Sequence, residues 1–361
     1  MRISGISHRL PAFSGRKILY TDFDKTYFPF VRSEITQSNS EAFKNMYLPF
    51  IDFKNSQGDD FELNITTGRS GNDYSHTQNL IQKAGCAYCY PNKVVSSNGA
   101  NVFKFQDGTL KCISPKENSK AQGAVESIMK SISDLDKDIA VVECRINGDK
   151  ATYQEYSSEG KLDKIKPEKY ISIARDGKYN AEIVVSKKMD FDMVGSLVRQ
   201  QVKENNLPFS VEQYENAIYT KGYEYASGEK TEVDANVIFL KYSPNGKQTD
   251  KFDIIKQEVK ELQRKGEPDD YVIVAGDGFN DEKMLNPLNY IDGDKDIENP
   301  ETLAKLSKLP LRAIVCGDDP ALDNLRTLSK ELGAKGVEII KIAPDSKTDF
   351  IKAIKEFEGD I

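Results

Sequence analysis

The chain has few residues of the kinds that bind soft metals or build a disulfide framework: five cysteines, an odd number, and two histidines among 361 residues. Disulfide scaffolds are typically small and pair their cysteines, so reduced thiols are expected here. Cys86 and Cys89 form a CxxC, but no second CxxC exists and only His8 and His76 are at hand. Half a motif argues against zinc or redox chemistry. No apolar run approaches the ~20 residues of a membrane-spanning helix. The first residues, MRISGISHRLPAFSGRK, lack the apolar centre of a signal peptide and read as an arm ahead of the first strand. A cytosolic protein without a membrane partner is the expectation. Basic residues are not in excess either: 57 acidic against 50 basic residues give a formal charge of -7 and no footprint for nucleic acid. An anionic substrate must be drawn in by a local field, from a bound cation or from helix N-termini.

What the chain does have is enough apolar residues, 38% of the total, to fill two cores. The runs KILYTD (17–22), FELNITTG (61–68) and YVIVAGDG (271–278) are apolar and end in polar or glycine-containing turns, which suits buried parallel strands. Helical periodicity links Phe252, Ile255, Val259 and Leu262, and again Phe350, Ile354 and Phe357. Strands alternating with helices predict a doubly wound α/β sheet. The middle of the chain differs. Strand-like runs at 139–145, 151–156, 182–186, 209–214, 217–221 and 235–240 fall mostly in neighbouring pairs, which predicts hairpins in an antiparallel sheet. Two helical patterns interrupt them, around Val125, Ile128, Met129 and Ile132 and around Phe191, Val194, Leu197 and Val198. An α+β insert of about 140 residues follows, a normal domain size. The expected division is therefore residues 1–100 and 241–361 as the core and 101–240 as the insert. Asn64-Ile65-Thr66 has the form of a glycosylation acceptor, but it lies in a predicted core strand and reads as an accidental match.

Open α/β sheets bind ligands beyond the carboxyl ends of their strands, and three polar patches fall there. They are Asp22-Phe23-Asp24-Lys25-Thr26, Thr66-Thr67-Gly68-Arg69 and Gly276-Asp277-Gly278-Phe279-Asn280-Asp281; lysines between Pro244 and Lys251 make a fourth. With Asp22, Asp24, Asp277 and Asp281 sharing a small space, like charges raise one another's pKa unless a cation neutralises them. Oxygen ligands alone favour Mg2+ over zinc or copper. A carboxylate beside a metal-held phosphate can attack phosphorus, and Asp22 is placed for that role. Asp24, two residues on, suits the general acid and base. Thr67 offers a hydroxyl and a backbone amide to a phosphate oxygen, with Gly68 permitting close approach. Lys251 opens a predicted helix, where its ammonium and the positive helix end suit a phosphate. Lys247, after the Pro244-Asn245-Gly246 turn, is its rival. Each patch alone has an ordinary reading as a strand cap, a tight turn or a solvated lysine. The four together, in this order, do not.

In these segments the sequence resembles the haloacid dehalogenase superfamily, and within it the Cof-type and sucrose-phosphatase-like phosphatases with a C2-type cap. DFDKT is similar to the first motif, TTGRS to the second, a lysine near 251 to the third and GDGFNDEKML to the fourth; Ser97-Asn98-Gly99-Ala100 is similar to the segment leading into such caps. Lys25 stands where these families usually have glycine, Tyr27 where leucine is common, and no glycine follows the lysine of the third motif. The resemblance implies a Rossmann-like core with an inserted cap, and Mg2+ held by Asp22, the Asp24 carbonyl and Asp277. It also implies that Asp281 orients the metal's water shell and that Asn280 lies near the substrate phosphate.

Hydrolysis of a small phosphorylated metabolite, with sugar phosphates the class suggested by the cap, is the leading expectation. A phosphomutase sharing the aspartyl-phosphate and a non-catalytic phosphate-binding protein on the same fold stand as alternatives. Arg145, Arg175, Lys187 and Lys188 are cations of the insert, read as solvated surface charge ahead of a second anion subsite. The acidic, proline-containing stretch from Asn286 to Pro310 is longer than such a fourth motif requires.

Overall fold

The computed structural model describes residues 15–23, 26, 51–68, 74, 91–106, 109–113, 119–135, 140–147, 150–155, 170–176, 180–220, 232–243, 249–267, 269–317, 320–333, 339–342 and 347–357. The strands are β1 (Lys17–Asp22), β2 (Phe61–Thr66), β3 (Lys93–Ser96), β4 (Asn101–Gln106), β5 (Thr109–Cys112), β6 (Ala140–Asn147), β7 (Lys150–Glu155), β8 (Tyr170–Asp176), β9 (Asn180–Val185), β10 (Phe209–Thr220), β11 (Glu232–Tyr242), β12 (Tyr271–Gly276), β13 (Leu311–Cys316) and β14 (Ile339–Ile342). The α-helices are α1 (Ser119–Ser133), α2 (Phe191–Glu204), α3 (Lys251–Lys265), α4 (Glu282–Leu285), α5 (Pro300–Leu306), α6 (Asp323–Gly333) and α7 (Lys347–Phe357). Two compact units result, Met1–Thr66 with Ile81–Lys93 and Phe252–Ile361, and Thr67–Leu80 with Val94–Lys251.

In the first unit the strand order is β14-β13-β12-β1-β2, and every neighbouring pair is parallel. All six residues of β12 and the four central residues of β1 are buried, as expected for parallel strands covered on both faces. The predicted stripe of α3, Phe252, Ile255, Val259 and Leu262, is buried, as are Phe350, Ile354 and Phe357 of α7. The chain leaves β1 toward β2 on one side and later places β12 on the other. That reversal is a topological switch point, where the carboxyl ends of the strands leave room for a ligand. Asn64 is fully buried in β2, as the accidental reading of its acceptor motif requires.

A polar network ties β1, β2 and α3. Tyr20, fully buried, donates its hydroxyl to Glu258 (3.2 Å). Lys93 Nζ donates to Glu62 (3.0 Å) and Glu258 (3.4 Å), and Arg16 donates to Glu62 (2.5 Å). Burial first, and then the Glu258 charge, push the Tyr20 hydroxyl well above the usual tyrosine range, so it stays a donor. Burial also pushes Glu62 upward, but the Arg16 and Asn64 hydrogen bonds and Lys93 outweigh it and leave its carboxyl below the usual range.

The long stretch after Asn286 is a succession of side-chain-to-backbone turns. Asn286 accepts from Leu288 N (3.1 Å), Asp294 from Asp296 N (3.0 Å), Asp296 from Glu298 N (3.0 Å) and Asn299 from Glu301 N (2.9 Å). Short Asn and Asp side chains close such i to i+2 turns, and Asn299 thereby caps α5 with Pro300 in its first turn.

In the second unit a six-stranded sheet has the order β10-β11-β9-β8-β6-β7. The pairs β6–β7, β8–β9 and β10–β11 are antiparallel, and β6–β7 is the hairpin expected from its neighbouring runs; β8 is not among the expected strands, and it pairs β6 in parallel, so the sheet is not wholly antiparallel. The predicted strands 209–214 and 217–221 are one strand, β10, whose register against β11 shifts between Tyr214 and Ala217. A bulge keeps a strand continuous where its alternation breaks. Val125, Ile128, Met129 and Ile132 of α1 and Phe191, Val194 and Val198 of α2 pack with Val141, Ile171, Ile183, Ile238 and Leu240 of the sheet. Asp190 caps α2 by accepting from Met193 N (2.9 Å). The fold is α/β: a Rossmann-like parallel core with an inserted α+β unit.

Candidate active site

Strand β1 ends at Asp22, which is in register with Thr66 at the end of β2. Strand β12 ends at Gly276, so Asp277 follows at the same edge of the sheet. Carboxylate oxygens of Asp22, Asp277 and Asp281 all lie within 4.8 Å of one another, the one such cluster of possible ligands among the described residues. Asp281 is 2% exposed, while Asp22 and Asp277 are half-buried.

The turn after β12 sets this geometry. Asp281 N donates to Gly278 O (2.8 Å), which folds the segment back so that Asp281 Oδ2 accepts from the backbone N–H groups of Asp277 (3.0 Å) and Gly278 (3.2 Å). One oxygen of Asp281 is thus fixed by the backbone, and its partner oxygen is held in a defined direction. Asn280, in the same turn, is exposed. Thr26, 1% exposed, donates its hydroxyl to Asp277 Oδ1 (3.0 Å). Its part was not assigned from sequence. The only signal was its place four residues after Asp22, since a buried threonine hydroxyl needs an acceptor.

Three carboxylates this close repel one another unless a cation shares them. The set offers oxygen donors and neither imidazole nor thiolate, which fits a hard divalent cation such as Mg2+. Asp24, Lys25 and Lys247 lie outside the described residues.

The remaining phosphate-binding candidates meet in the second unit. Thr67 N donates to Val95 O (2.8 Å), and Asn98 N donates to Thr67 O (3.2 Å). Gly99 lies against the start of α3, where an added Cβ would meet the Asp250 carbonyl carbon at 2.6 Å and Lys251 N at 2.9 Å. Thr67 and Lys251 are 1% and 3% exposed. The structure therefore brings together Asp22, Asp277 and Asp281 in one group, and Thr67, Gly68 and Lys251, through the Asn98-Gly99 turn, in another. Lys187 and Lys188 are exposed in the turn after β9, and Arg145 and Arg175 belong to β6 and β8.

No family model matches the chain. No curated protein matches it in sequence. Among solved structures it is similar to the sucrose-phosphatase of Synechocystis sp. PCC6803 in complex with sucrose and phosphate, at 14% identity over 95% of this chain and 98% of that one, with a TM-score of 0.38. It is likewise similar to yhjK, a haloacid dehalogenase-like hydrolase protein of Bacillus subtilis (13% identity, 95% and 96% covered, TM-score 0.39). A third is the trehalose-6-phosphate phosphatase of Aspergillus fumigatus (13% identity, 96% and 93% covered, TM-score 0.43). Likenesses this distant do not fix a function.

Proposed function

We propose that the protein is a magnesium-dependent phosphatase of the haloacid dehalogenase type, acting on a small phosphorylated metabolite, with sugar phosphates the favoured class. The observation that carries this reading is the meeting of Asp22, Asp277 and Asp281 at the carboxyl ends of adjacent parallel strands. Asp22, the Asp24 carbonyl and Asp277 would hold Mg2+, with Asp281 orienting its water shell. The bound cation supplies positive charge next to the phosphoryl oxygens.

Asp22 is the nucleophile: its carboxylate oxygen forms the bond to phosphorus as the ester oxygen leaves, giving an aspartyl-phosphate. Asp24 gives the departing alkoxide its proton. It then takes a proton from the water that attacks the aspartyl-phosphate, releasing phosphate and restoring the Asp22 carboxylate. Thr67, Gly68, Lys251 and Asn280 bind the phosphoryl oxygens, whose charge is met by hydrogen-bond donors and an ammonium. Residues 101–240 are the cap, which chooses the leaving group.

Phosphate release from p-nitrophenyl phosphate and a panel of sugar phosphates tests this, with Mg2+ and with chelator, for the native chain and Asp22→Asn. Turnover that needs Mg2+ and disappears in the variant is expected. Transfer of the phosphoryl group between hydroxyls of a hexose without net phosphate release would make the protein a mutase. No turnover and no transfer in folded protein would leave only the binding role.

A further inference from the structure

Two non-glycine residues have a left-handed backbone among those described, Asn98 (φ 52°) and Asn206 (φ 47°). Asn206 has a structural reason: it ends α2, where its N–H donates to Lys203 O (3.2 Å) and Leu207 N donates to Val202 O (2.9 Å). Helices commonly stop on a residue of this conformation. Asn98 ends no α-helix. It is followed by Gly99, which is left-handed as well (φ 94°), so the chain already has one residue free to adopt this backbone. Asparagine tolerates a positive φ better than most side chains, but glycine does so at no cost. A side chain kept at such a position points to a use for that side chain.

Its surroundings indicate the use. The Asn98 amide lies beside Gly68: a Cβ added to that glycine would be 3.4 Å from Asn98 Oδ1 and 3.7 Å from Nδ2. The Asn98 N–H is bonded to Thr67, and the next residue, Gly99, packs on the Asp250-Lys251 backbone. Asn98 is thus the link between the two groups already assigned to the substrate phosphate. It is only half-buried, whereas Thr67 and Lys251 are almost wholly buried.

We infer that Asn98 is a further phosphate-binding residue, its side-chain amide donating to a phosphate oxygen alongside Thr67 and Lys251. This rests on the phosphatase reading above. A neutral amide suits the position, since it donates to an anion without adding a buried charge.

The test is calorimetric binding of inorganic phosphate to the full chain in the presence of Mg2+, with the melting temperature measured in parallel, for the native protein, Asn98→Gly and Asn98→Asp. Asn98→Gly is expected to keep or raise the melting temperature, because the left-handed backbone is free for glycine. Its affinity for phosphate is expected to fall about tenfold, the loss of one hydrogen bond to a charged group. Asn98→Asp should lose more, through repulsion, while both variants bind Mg2+ as the native chain does. Native-like phosphate affinity in Asn98→Gly would overturn the inference and leave the phosphatase reading intact. So would a lowered melting temperature accompanying the loss in both variants, which would mark Asn98 as structural. A native chain that binds no phosphate and releases none from p-nitrophenyl phosphate would overturn both.

Discussion

Gly276 lies so close to Asp281 that a Cβ added to the glycine would meet the aspartate's Cβ at 2.4 Å and its Oδ2 at 2.6 Å. Asp281 can reach the backbone N–H groups of Asp277 and Gly278 only by crossing that space. The glycine at the end of β12 is therefore a requirement of the carboxylate cluster, because any side chain there displaces Asp281.

Gly276→Ala is expected to lower stability by about 1–3 kcal/mol, the usual cost of forcing a methyl group into a packed site. The displaced Asp281 should weaken Mg2+ binding more than the stability loss alone explains. Thermal melting with calorimetric Mg2+ titration checks this. A variant that binds Mg2+ as the native chain does would show that Asp281 is not constrained by Gly276.

Asp281 has two separable parts, an oxygen that holds the turn and a charge that faces the cluster. Asp281→Asn retains an acceptor oxygen, so it should melt close to the native protein, yet with one carboxylate fewer its Mg2+ affinity should drop at least about tenfold. Asp281→Ala loses the turn as well and should melt lower by the equivalent of about 1–2 kcal/mol. Equal melting of the two variants would disprove the structural part. Unchanged Mg2+ affinity in Asp281→Asn would disprove the electrostatic part.

Much of this site was legible in the sequence because each piece is local. Strands β1, β2 and β12 are buried parallel strands and read as continuous apolar runs; the residues that end them, Asp22, Thr66-Thr67 and Gly276-Asp277, stand out by contrast. Other relations are not local. The parallel pairing of β6 with β8 joins strands about two dozen residues apart in the chain, and no alternation pattern specifies it. Thr26 holding Asp277 joins residues 251 apart in the chain, so neither neighbourhood announces it. The strain at Asn98 is a backbone angle, which its residue type permits without predicting. The stretch from Asn286 to Pro310 read only as acidic, proline-containing and longer than the fourth motif requires. Asn286, Asp294, Asp296 and Asn299 instead hydrogen-bond its own backbone two residues on, as that spacing allows but composition alone does not reveal.

Glu62 makes the first unit sensitive to acid. Its lowered carboxyl, held by Arg16 and Lys93 against the cost of burial, contributes stability that is fully present above the ordinary glutamate value of about 4.3. That stability is lost as pH falls through the lower value of the folded state. Glu62→Gln should be less stable than the native protein by about 1 kcal/mol at pH 7, a modest figure because Arg16 is partly exposed. The gap should narrow progressively as both are titrated below the ordinary glutamate value, as followed by denaturant unfolding. A gap that stays constant with pH would mean that Glu62 contributes through packing and not through its charge.

The first turn of α3 is anchored to the segment after the Asp281 turn. Phe252 meets Tyr290 edge to face, with ring centroids 5.0 Å apart, and the ammonium groups of Lys256 and Lys283 lie 5.5 Å and 5.0 Å from the Phe252 ring centroid. Lys256 also donates to Asn289 O (2.8 Å), and the Tyr290 hydroxyl donates to Met284 O (2.7 Å). Lys251 is the residue next to Phe252, so the ring clamp fixes the point from which its ammonium extends. Phe252→Leu should cost about 1–2 kcal/mol through the lost ring pair and cation contacts, and kcat/KM toward a phosphate ester should fall about tenfold as Lys251 loses its fixed origin. Tyr290→Phe keeps the ring pair and removes only the hydroxyl. It should cost about 1 kcal/mol in stability with kcat/KM near the native value. Melting curves and steady-state kinetics on both variants decide the matter. If the two lose activity in proportion to their stability, the clamp supports the fold alone; if only Phe252→Leu loses activity, it positions Lys251.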